Sequence, residues 1–151
     1  ADELGVPFGP ERSILVRGEP VTLADGRVVH PDEVLGPEQS GTKYVHVGDA
    51  GRTDNLHDAV RGADALVIES TYTEDEAEMA ADFGHMTAAR AATLARDAGV
   101  KNLILTHLSR RYSEREIRTE ARAIFPNTFV ARDFDHFQIT REGVARVKKE
   151  E

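Results

Sequence analysis

Cysteine is absent from this sequence of 151 residues. Its absence excludes disulfide bonds and zinc sites built on thiolates. No apolar run approaches the roughly 20 residues that a membrane-spanning helix needs, and no signal-peptide pattern is visible. Hydrophobic residues still make up 40% of the chain, which is enough for a buried core and argues against wholesale disorder. The length suits one domain or one half of a larger domain.

Lysine is scarce, with 4 residues against 15 arginines, and the formal net charge is −8. A protein that binds nucleic acid usually carries a basic face, because contacts to phosphates dominate its affinity. Two interpretations stay open: the basic contact surface is local, or the source organism has an acidic, salt-adapted proteome. The scarcity of lysine favours a salt-adapted archaeon, although a GC-rich genome gives the same bias.

Residues 1–42 hold five of the six prolines, which disfavour long helices there. Within this stretch, short runs at 21–23 and 27–30 flank Ala24-Asp25-Gly26. An Asp-Gly pair between such runs is a strong signal for a β-hairpin. The pattern predicts an irregular region with one hairpin.

Residues 43–147 are regular, and 148–151 resemble a free tail. Short apolar strands alternate with helices that begin at capping residues, such as Thr87 and the Ser113/Glu116 pair. The alternation predicts an α/β layered arrangement. The predicted strands are 44–47, 65–69, 103–106, 128–131, 137–139 and 144–147, and the predicted helices are 53–61, 73–83, 87–98 and 113–124.

Three polar side chains lie at or just after the carboxyl ends of predicted strands: Asp49, Glu69 and His107. Ligands of open α/β sheets bind outside these strand ends. A carboxylate and an imidazole are ligands that suit Zn²⁺. The structural alternatives are a helix cap or a turn for Asp49 and a core histidine for His107. By themselves, one aspartate and one histidine do not hold zinc firmly, because a catalytic zinc has about three protein ligands.

Two further candidates lie in loops. His85 precedes a helix capped by Thr87, where a histidine could act as a general acid or contact a phosphate, and the alternative is an ordinary polar loop residue. Arg110 and Arg111 follow His107, and their guanidinium groups suit phosphodiester oxygens or a solvated turn. Glu69 either orients His85 or a metal ligand, or meets solvent. The remaining histidines, His30, His46, His57 and His136, are interpreted as structural or exposed.

Four motifs in this order resemble the C-terminal half of ribonuclease Z. They are Val47-Gly48-Asp49, the run from Ala65 through Glu69-Ser70-Thr71-Tyr72, Gly84-His85-Met86-Thr87-Ala88, and Leu105-Thr106-His107-Leu108-Ser109-Arg110-Arg111-Tyr112. Each motif is weak alone, but their order and spacing together are specific, and the likeness covers nearly the whole chain. The resemblance implies an α/β fold that forms the C-terminal half of a metallo-β-lactamase αββα sandwich.

The resemblance also implies an activity. The family is a homodimeric, zinc-dependent endonuclease that removes the 3′ trailer from precursor tRNA, with two zinc ions in each complete active site. By the resemblance, Asp49 bridges the metals, His107 binds the second zinc, and His85 protonates the leaving oxygen. Arg111 would contact the phosphate. The expected location is the cytoplasm, with no membrane contact.

The departures from the family pattern predict an incomplete site. The family's main metal motif, a His-x-His-x-Asp-His cluster, does not occur here, and a further histidine ligand and the tRNA-gripping arm are missing too. Ala50 replaces a threonine and Met86 replaces a serine. We therefore expect a fragment that binds zinc weakly and does not cut tRNA alone. In this view residues 1–42 join the two halves of the fold, 43–147 form the C-terminal half, and 148–151 are a tail.

Two alternatives stay open. One is a related metallo-β-lactamase-fold hydrolase that acts on other esters, and the other is a non-catalytic module that pairs with a partner. The run from Ser109 through Arg111 to Tyr112 favours the nuclease, because that run is typical of the tRNA enzymes. A half-fold would expose an apolar sheet face, which single soluble domains rarely tolerate.

Overall fold

The structure, a computed structural model, describes residues 1–37 and 40–147. Its contacts divide the chain into two compact units, Ala1–Ser40 and Gly41–Glu151. The predicted tail at 148–151 lies outside the described residues. No helix among the described residues is long and apolar enough to cross a membrane.

The first unit contains one helix and one hairpin. Helix α1 spans Pro10–Val16 and begins with a proline, whose fixed φ suits the first helical position. Strands β1 (Val21–Thr22) and β2 (Val28–Val29) pair antiparallel around the predicted Asp-Gly turn, where Gly26 has a φ of 85°. The stretch is thus more regular than the sequence suggests. Its small core consists of Val6, Leu15, Val21, Leu23 and Val29.

The second unit is built on a four-stranded parallel sheet with the order β3-β4-β5-β6. Parallel strands bring all their carboxyl ends to one edge, so the loops that follow them meet there. This arrangement confirms the predicted α/β class. The strands are β3 (Tyr44–His46), β4 (Ala65–Glu69), β5 (Leu103–Thr106) and β6 (Thr128–Val130).

Two helices cover one face of this sheet, α4 (Ala88–Asp97) and α5 (Glu114–Ile124). Both begin at the predicted caps. The Thr87 side chain accepts a hydrogen bond from the Arg90 N–H, and Ser113 with Glu116 forms a reciprocal capping box. The buried core between helices and sheet includes Leu66, Ile68, Ala91, Leu94, Ala95, Leu103, Leu105, Ile117 and Val130.

Two predicted helices are shorter than expected. The helix predicted at 53–61 is wrong over its first half, because α2 spans only His57–Val60. The Leu56 N–H bonds to the Thr53 carbonyl in a turn, and the intervening Asp54 and Asn55 are weak helix formers. The predicted acidic helix begins as a 3-10 turn at Glu74–Glu76 before α3 (Ala77–Asp82).

A second hairpin, β7 (His136–Ile139) with β8 (Val144–Val147), forms a separate two-stranded sheet. The Phe137 ring packs edge-on against the Phe129 ring of β6, with 5.8 Å between their centroids. This contact anchors the hairpin to the main sheet.

Candidate metal centre

Three loops at the carboxyl edge of the sheet bring together one aspartate and two histidines. Asp49 follows β3, His107 follows β5, and His85 lies in the loop before α4. One ligand atom from each of these residues lies within 4.8 Å of the others. The sheet thus joins two strand-end residues that the sequence predicts as ligands, and the structure adds His85 to the same cluster.

The cluster faces solvent on one side. The Asp49 and His107 side chains are 63% and 54% exposed, whereas His85 is 21% exposed. The Nδ1 atom of His107 lies 3.2 Å from an Asp49 carboxylate oxygen, and the two histidine rings are 5.3 Å apart at their centroids. His107 has a φ of 54°, in the left-handed region that few side chains adopt. Such strain at the end of a buried strand is typical of functional positions.

Glu69, at the end of β4, is the buried carboxylate beneath this cluster, with a side chain only 1% exposed. Its Oε1 atom accepts hydrogen bonds from the Ala50 N–H at 2.8 Å and from the His85 ring at 3.0 Å. Its Oε2 atom accepts from the Thr71 hydroxyl at 2.6 Å.

Burial alone would raise the pKa of the Glu69 carboxyl, but the hydrogen bonds from Thr71, Ala50 and His85 outweigh it and lower the pKa. A carboxylate therefore stands behind the His85 ring.

Thr71 is a residue that the sequence reasoning missed as a site residue, although it lies in the Glu69-Ser70-Thr71-Tyr72 motif. Its hydroxyl lies 3.1 Å from Nδ1 of His107 and 3.4 Å from Nδ1 of His85. The sequence signals for it are its place in this motif and its position two residues after a strand-end glutamate.

Arg111 is paired with an acidic residue. Its guanidinium donates to Glu76 at 3.1 Å and contacts the Met79 sulfur, and its side chain is 55% exposed. The Tyr112 hydroxyl also hydrogen-bonds to Glu76. A phosphate at Arg111 would have to compete with this carboxylate.

The loops that carry Asp49 and His85 approach each other at two glycines. A Cβ atom on Gly51 would lie 2.9 Å from the Gly84 Cα, closer than real contacts allow. The two residues that depart from the family pattern also have structural roles near this contact. Ala50 contributes its backbone N–H to Glu69, and Met86 is buried in the core.

The donor chemistry of the cluster suits zinc. One carboxylate oxygen and two imidazole nitrogens make three donors of the kind that a catalytic zinc uses. Two zinc ions would need more donors than these three. None of the other four histidines joins this group within residues 1–37 and 40–147.

Comparison with known proteins identifies the family. The profile of the beta-lactamase superfamily domain matches residues 13–108. The chain belongs to the beta-lactamase superfamily. This confirms the fold family that the sequence motifs predict.

Relatives in this superfamily also support the resemblance to ribonuclease Z. The chain is 52% identical over 136 residues to the "Ribonuclease Z" of Bradyrhizobium sp. (strain ORS 278), which covers 90% of this chain and 45% of that protein. It is 41% identical over 140 residues to the "Ribonuclease Z" of Archaeoglobus fulgidus, which covers 91% and 45%. The chain thus spans a little under half the length of these curated relatives.

Two solved structures share the fold of this superfamily member. The metallo-beta-lactamase fold protein YhfI from Bacillus subtilis matches with a TM-score of 0.55 and 28% identity over 58% of this chain and 36% of that chain. The short form of human tRNase Z matches with a TM-score of 0.50 and 28% identity over 71% of this chain and 34% of that chain.

Proposed function

We propose that this chain forms the C-terminal part of a tRNA 3′-processing endonuclease, which removes the 3′ trailer from precursor tRNA. The observation that carries the proposal is the convergence of Asp49, His85 and His107 within 4.8 Å, in a chain whose relatives are named Ribonuclease Z. Each of these residues lies in one of the four motifs by which the sequence resembles ribonuclease Z. The first unit would join the two halves of the complete fold.

The proposed cofactor is zinc, with two ions in the complete site. Asp49 and His107 would hold the metal, with further donors coming from polypeptide beyond this chain. Bound zinc would supply Lewis-acid activation of the attacking water and neutralise charge on the phosphate. The exposure of the Asp49 and His107 side chains supports access by a large substrate.

His85 is the proposed general acid. Its Nδ1–H donates to the Glu69 carboxylate, which leaves Nε2 to carry the proton that is transferred. The P–O3′ bond breaks as the bond from phosphorus to the water oxygen forms. The attacking water loses a proton to solvent, and the departing 3′ oxygen takes the proton from His85. The hydrogen bond to the Glu69 carboxylate holds the His85 ring in position for this transfer.

Arg111 is the proposed phosphate contact. A guanidinium group suits phosphodiester oxygens, and its exposure leaves it accessible. Glu76 would have to release it when substrate binds, so Glu76 would tune phosphate affinity. Homodimer formation, precursor tRNA as the partner and a cytoplasmic location complete the proposal.

The test is a chimera. This chain replaces the matching 136 residues of the Bradyrhizobium sp. relative, and the purified chimera is assayed for cleavage of a precursor tRNA with zinc. We expect accurate removal of the 3′ trailer, because the replaced segment is 52% identical. His85→Ala in the chimera should reduce the rate by about 100-fold or more, as expected for the loss of a general acid.

Glu78→Ala serves as the control, because Glu78 is exposed on α3. A folded, zinc-loaded chimera that leaves precursor tRNA intact would contradict the proposal.

A second candidate is a related metallo-β-lactamase-fold hydrolase that acts on other esters. The match to the metallo-beta-lactamase fold protein YhfI, with a TM-score of 0.55, supports the fold of such a hydrolase. A chimera that hydrolyses small aryl phosphodiesters but not precursor tRNA would favour this candidate over the endonuclease.

A further inference from the structure

Thr71 follows β4 by two residues and stands between the Glu69 carboxylate and the two histidines. Its hydroxyl oxygen lies 2.6 Å from Glu69 Oε2 and 3.1 Å from His107 Nδ1. The backbone carbonyl of His107 lies 3.0 Å from the same oxygen. One hydroxyl group thus touches both the carboxylate beneath the site and a strand-end histidine 36 positions away in sequence.

The direction of these hydrogen bonds follows from counting protons. A threonine hydroxyl has one proton to donate. The Glu69 carboxylate is its shortest partner, and a hydrogen bond to an ionised acceptor is stronger than one to a carbonyl. With that proton committed to Glu69, the hydroxyl oxygen can only accept from His107, so Nδ1 of His107 carries the proton.

Glu69 fixes the other histidine directly. Its Oε1 atom lies 3.0 Å from His85 Nδ1, and a carboxylate only accepts hydrogen bonds. His85 therefore also carries its proton on Nδ1. When the rings are neutral, Nε2 of each then presents a lone pair, which can take a metal or a proton.

We propose that Thr71 is a positioning residue that links His107 to the Glu69 carboxylate by two hydrogen bonds. Through this hydrogen-bond relay, one buried acid fixes the tautomer of both histidines. Glu69 acts on His85 by contact and on His107 through the Thr71 hydroxyl. The use of the two Nε2 atoms, to bind a metal or to carry a proton, rests on the proposed function. The hydrogen-bond relay itself does not depend on that function.

Asp49 must be removed from the test, because its carboxylate is a second acceptor within 3.2 Å of His107 Nδ1. The full chain is therefore prepared without metal as Asp49→Ala, alone and combined with Thr71→Val or Thr71→Ser. Valine keeps the shape of threonine but lacks the hydroxyl, and serine keeps the hydroxyl. The ¹⁵N NMR shifts of the imidazole nitrogens report which nitrogen is protonated, at about pH 8.5, where unperturbed histidines are neutral.

We expect His107 to be protonated on Nδ1 in Asp49→Ala and in its Thr71→Ser derivative. In the Thr71→Val derivative it should shift towards the Nε2–H tautomer. His85 serves as the internal control, because its direct bond to Glu69 keeps its proton on Nδ1 in all three proteins.

Two results would overturn the relay. One is the same His107 tautomer with valine as with threonine, and the other is a serine variant that behaves like valine. If the valine variant does not fold, the His107 tautomer in the Asp49→Ala protein is the test. A His107 proton on Nε2 in that protein contradicts the relay. None of these measurements involves metal or RNA, so an inactive chimera and a failed relay are separate outcomes.

Discussion

Ser70, between the strand-end Glu69 and Thr71, is fully buried, and its hydroxyl has no hydrogen-bond partner within the described part of the chain. A buried polar group without a partner costs about 1–3 kcal/mol. We expect Ser70→Ala to raise the free energy of unfolding by about 1 kcal/mol, measured by urea denaturation.

Ser113→Ala is the matched control, because that serine caps α5 and its loss should lower stability by about 1 kcal/mol. A clear loss of stability in Ser70→Ala would contradict the view that the Ser70 hydroxyl is unpaired. It would indicate an ordered water bonded to that hydroxyl.

Gly51 keeps the Asp49 loop against the His85 loop. Because an added Cβ would meet Gly84 backbone at 2.9 Å, Gly51→Ala forces the two loops apart. We expect a loss of about 1–3 kcal/mol in the free energy of unfolding, typical of overpacking, together with weaker zinc binding by calorimetry.

Gly48→Ala is the control for this close approach, since a Cβ there meets nothing within 4 Å and the residue directly precedes Asp49. Equal effects of the two substitutions would show that the contact between the loops is unimportant.

At the scale of elements, Glu120 connects three of them. It lies on α5 and accepts hydrogen bonds from the Ala89 N–H in the first turn of α4 and from the Glu74 N–H at the 3-10 turn. Burial raises the pKa of the Glu120 carboxyl, the two N–H groups lower it, and the charges of Glu74 and Asp75 raise it again, so that the net change is upward. One side chain thus stabilises two helix starts beside the candidate site.

This raised pKa gives a pH dependence with a defined sign. Below the ordinary glutamate pKa of 4.5, Glu120 is protonated in both the folded and the unfolded state, and its full contribution to stability is present. As pH rises through the higher folded pKa, the folded state binds more protons than the unfolded state and that contribution is lost.

We therefore expect the stability of the wild type relative to Glu120→Gln to fall as the pH rises above the ordinary value of 4.5, in urea denaturation at each pH. A difference that stays constant or grows with pH would contradict the assignment.

Local signals predicted most of the elements correctly. Thr87 and Ser113 begin their helices as expected because a capping hydrogen bond reaches only three residues along the chain. The helix predicted from Thr53 is mostly a turn, since a capping residue alone does not overcome weak helix formers after it.

At the scale of the whole molecule, the chain offers three clustered donors where two zinc ions need more. We expect the isolated chain to bind zinc with a dissociation constant of about 1 μM or weaker, which corresponds to about 8 kcal/mol, in isothermal titration calorimetry. Asp49→Ala should remove the residual binding.

The same isolated chain should leave precursor tRNA uncut when zinc is added, because it spans only 45% of its relative. Cleavage at a rate comparable to the chimera would refute the view that further polypeptide completes the site.

The sequence by itself determined the strands and the residues at their tips. Asp49 and His107 could be predicted as neighbours because parallel strands end at one edge, a rule that depends only on strand order. The motifs also predicted the family, since four short patterns at fixed spacing rarely occur together by chance.

Only the tertiary structure decided how the side chains pair. The Thr71 hydroxyl meets His107 36 positions later, and Arg111 meets Glu76 35 positions earlier. Such contacts depend on loop paths and rotamers, which many distant packing interactions fix together, so no local pattern encodes them. The buried Glu69 follows the same logic, because its partners Ala50 and His85 come from two separate segments that only the folded structure brings within hydrogen-bond distance.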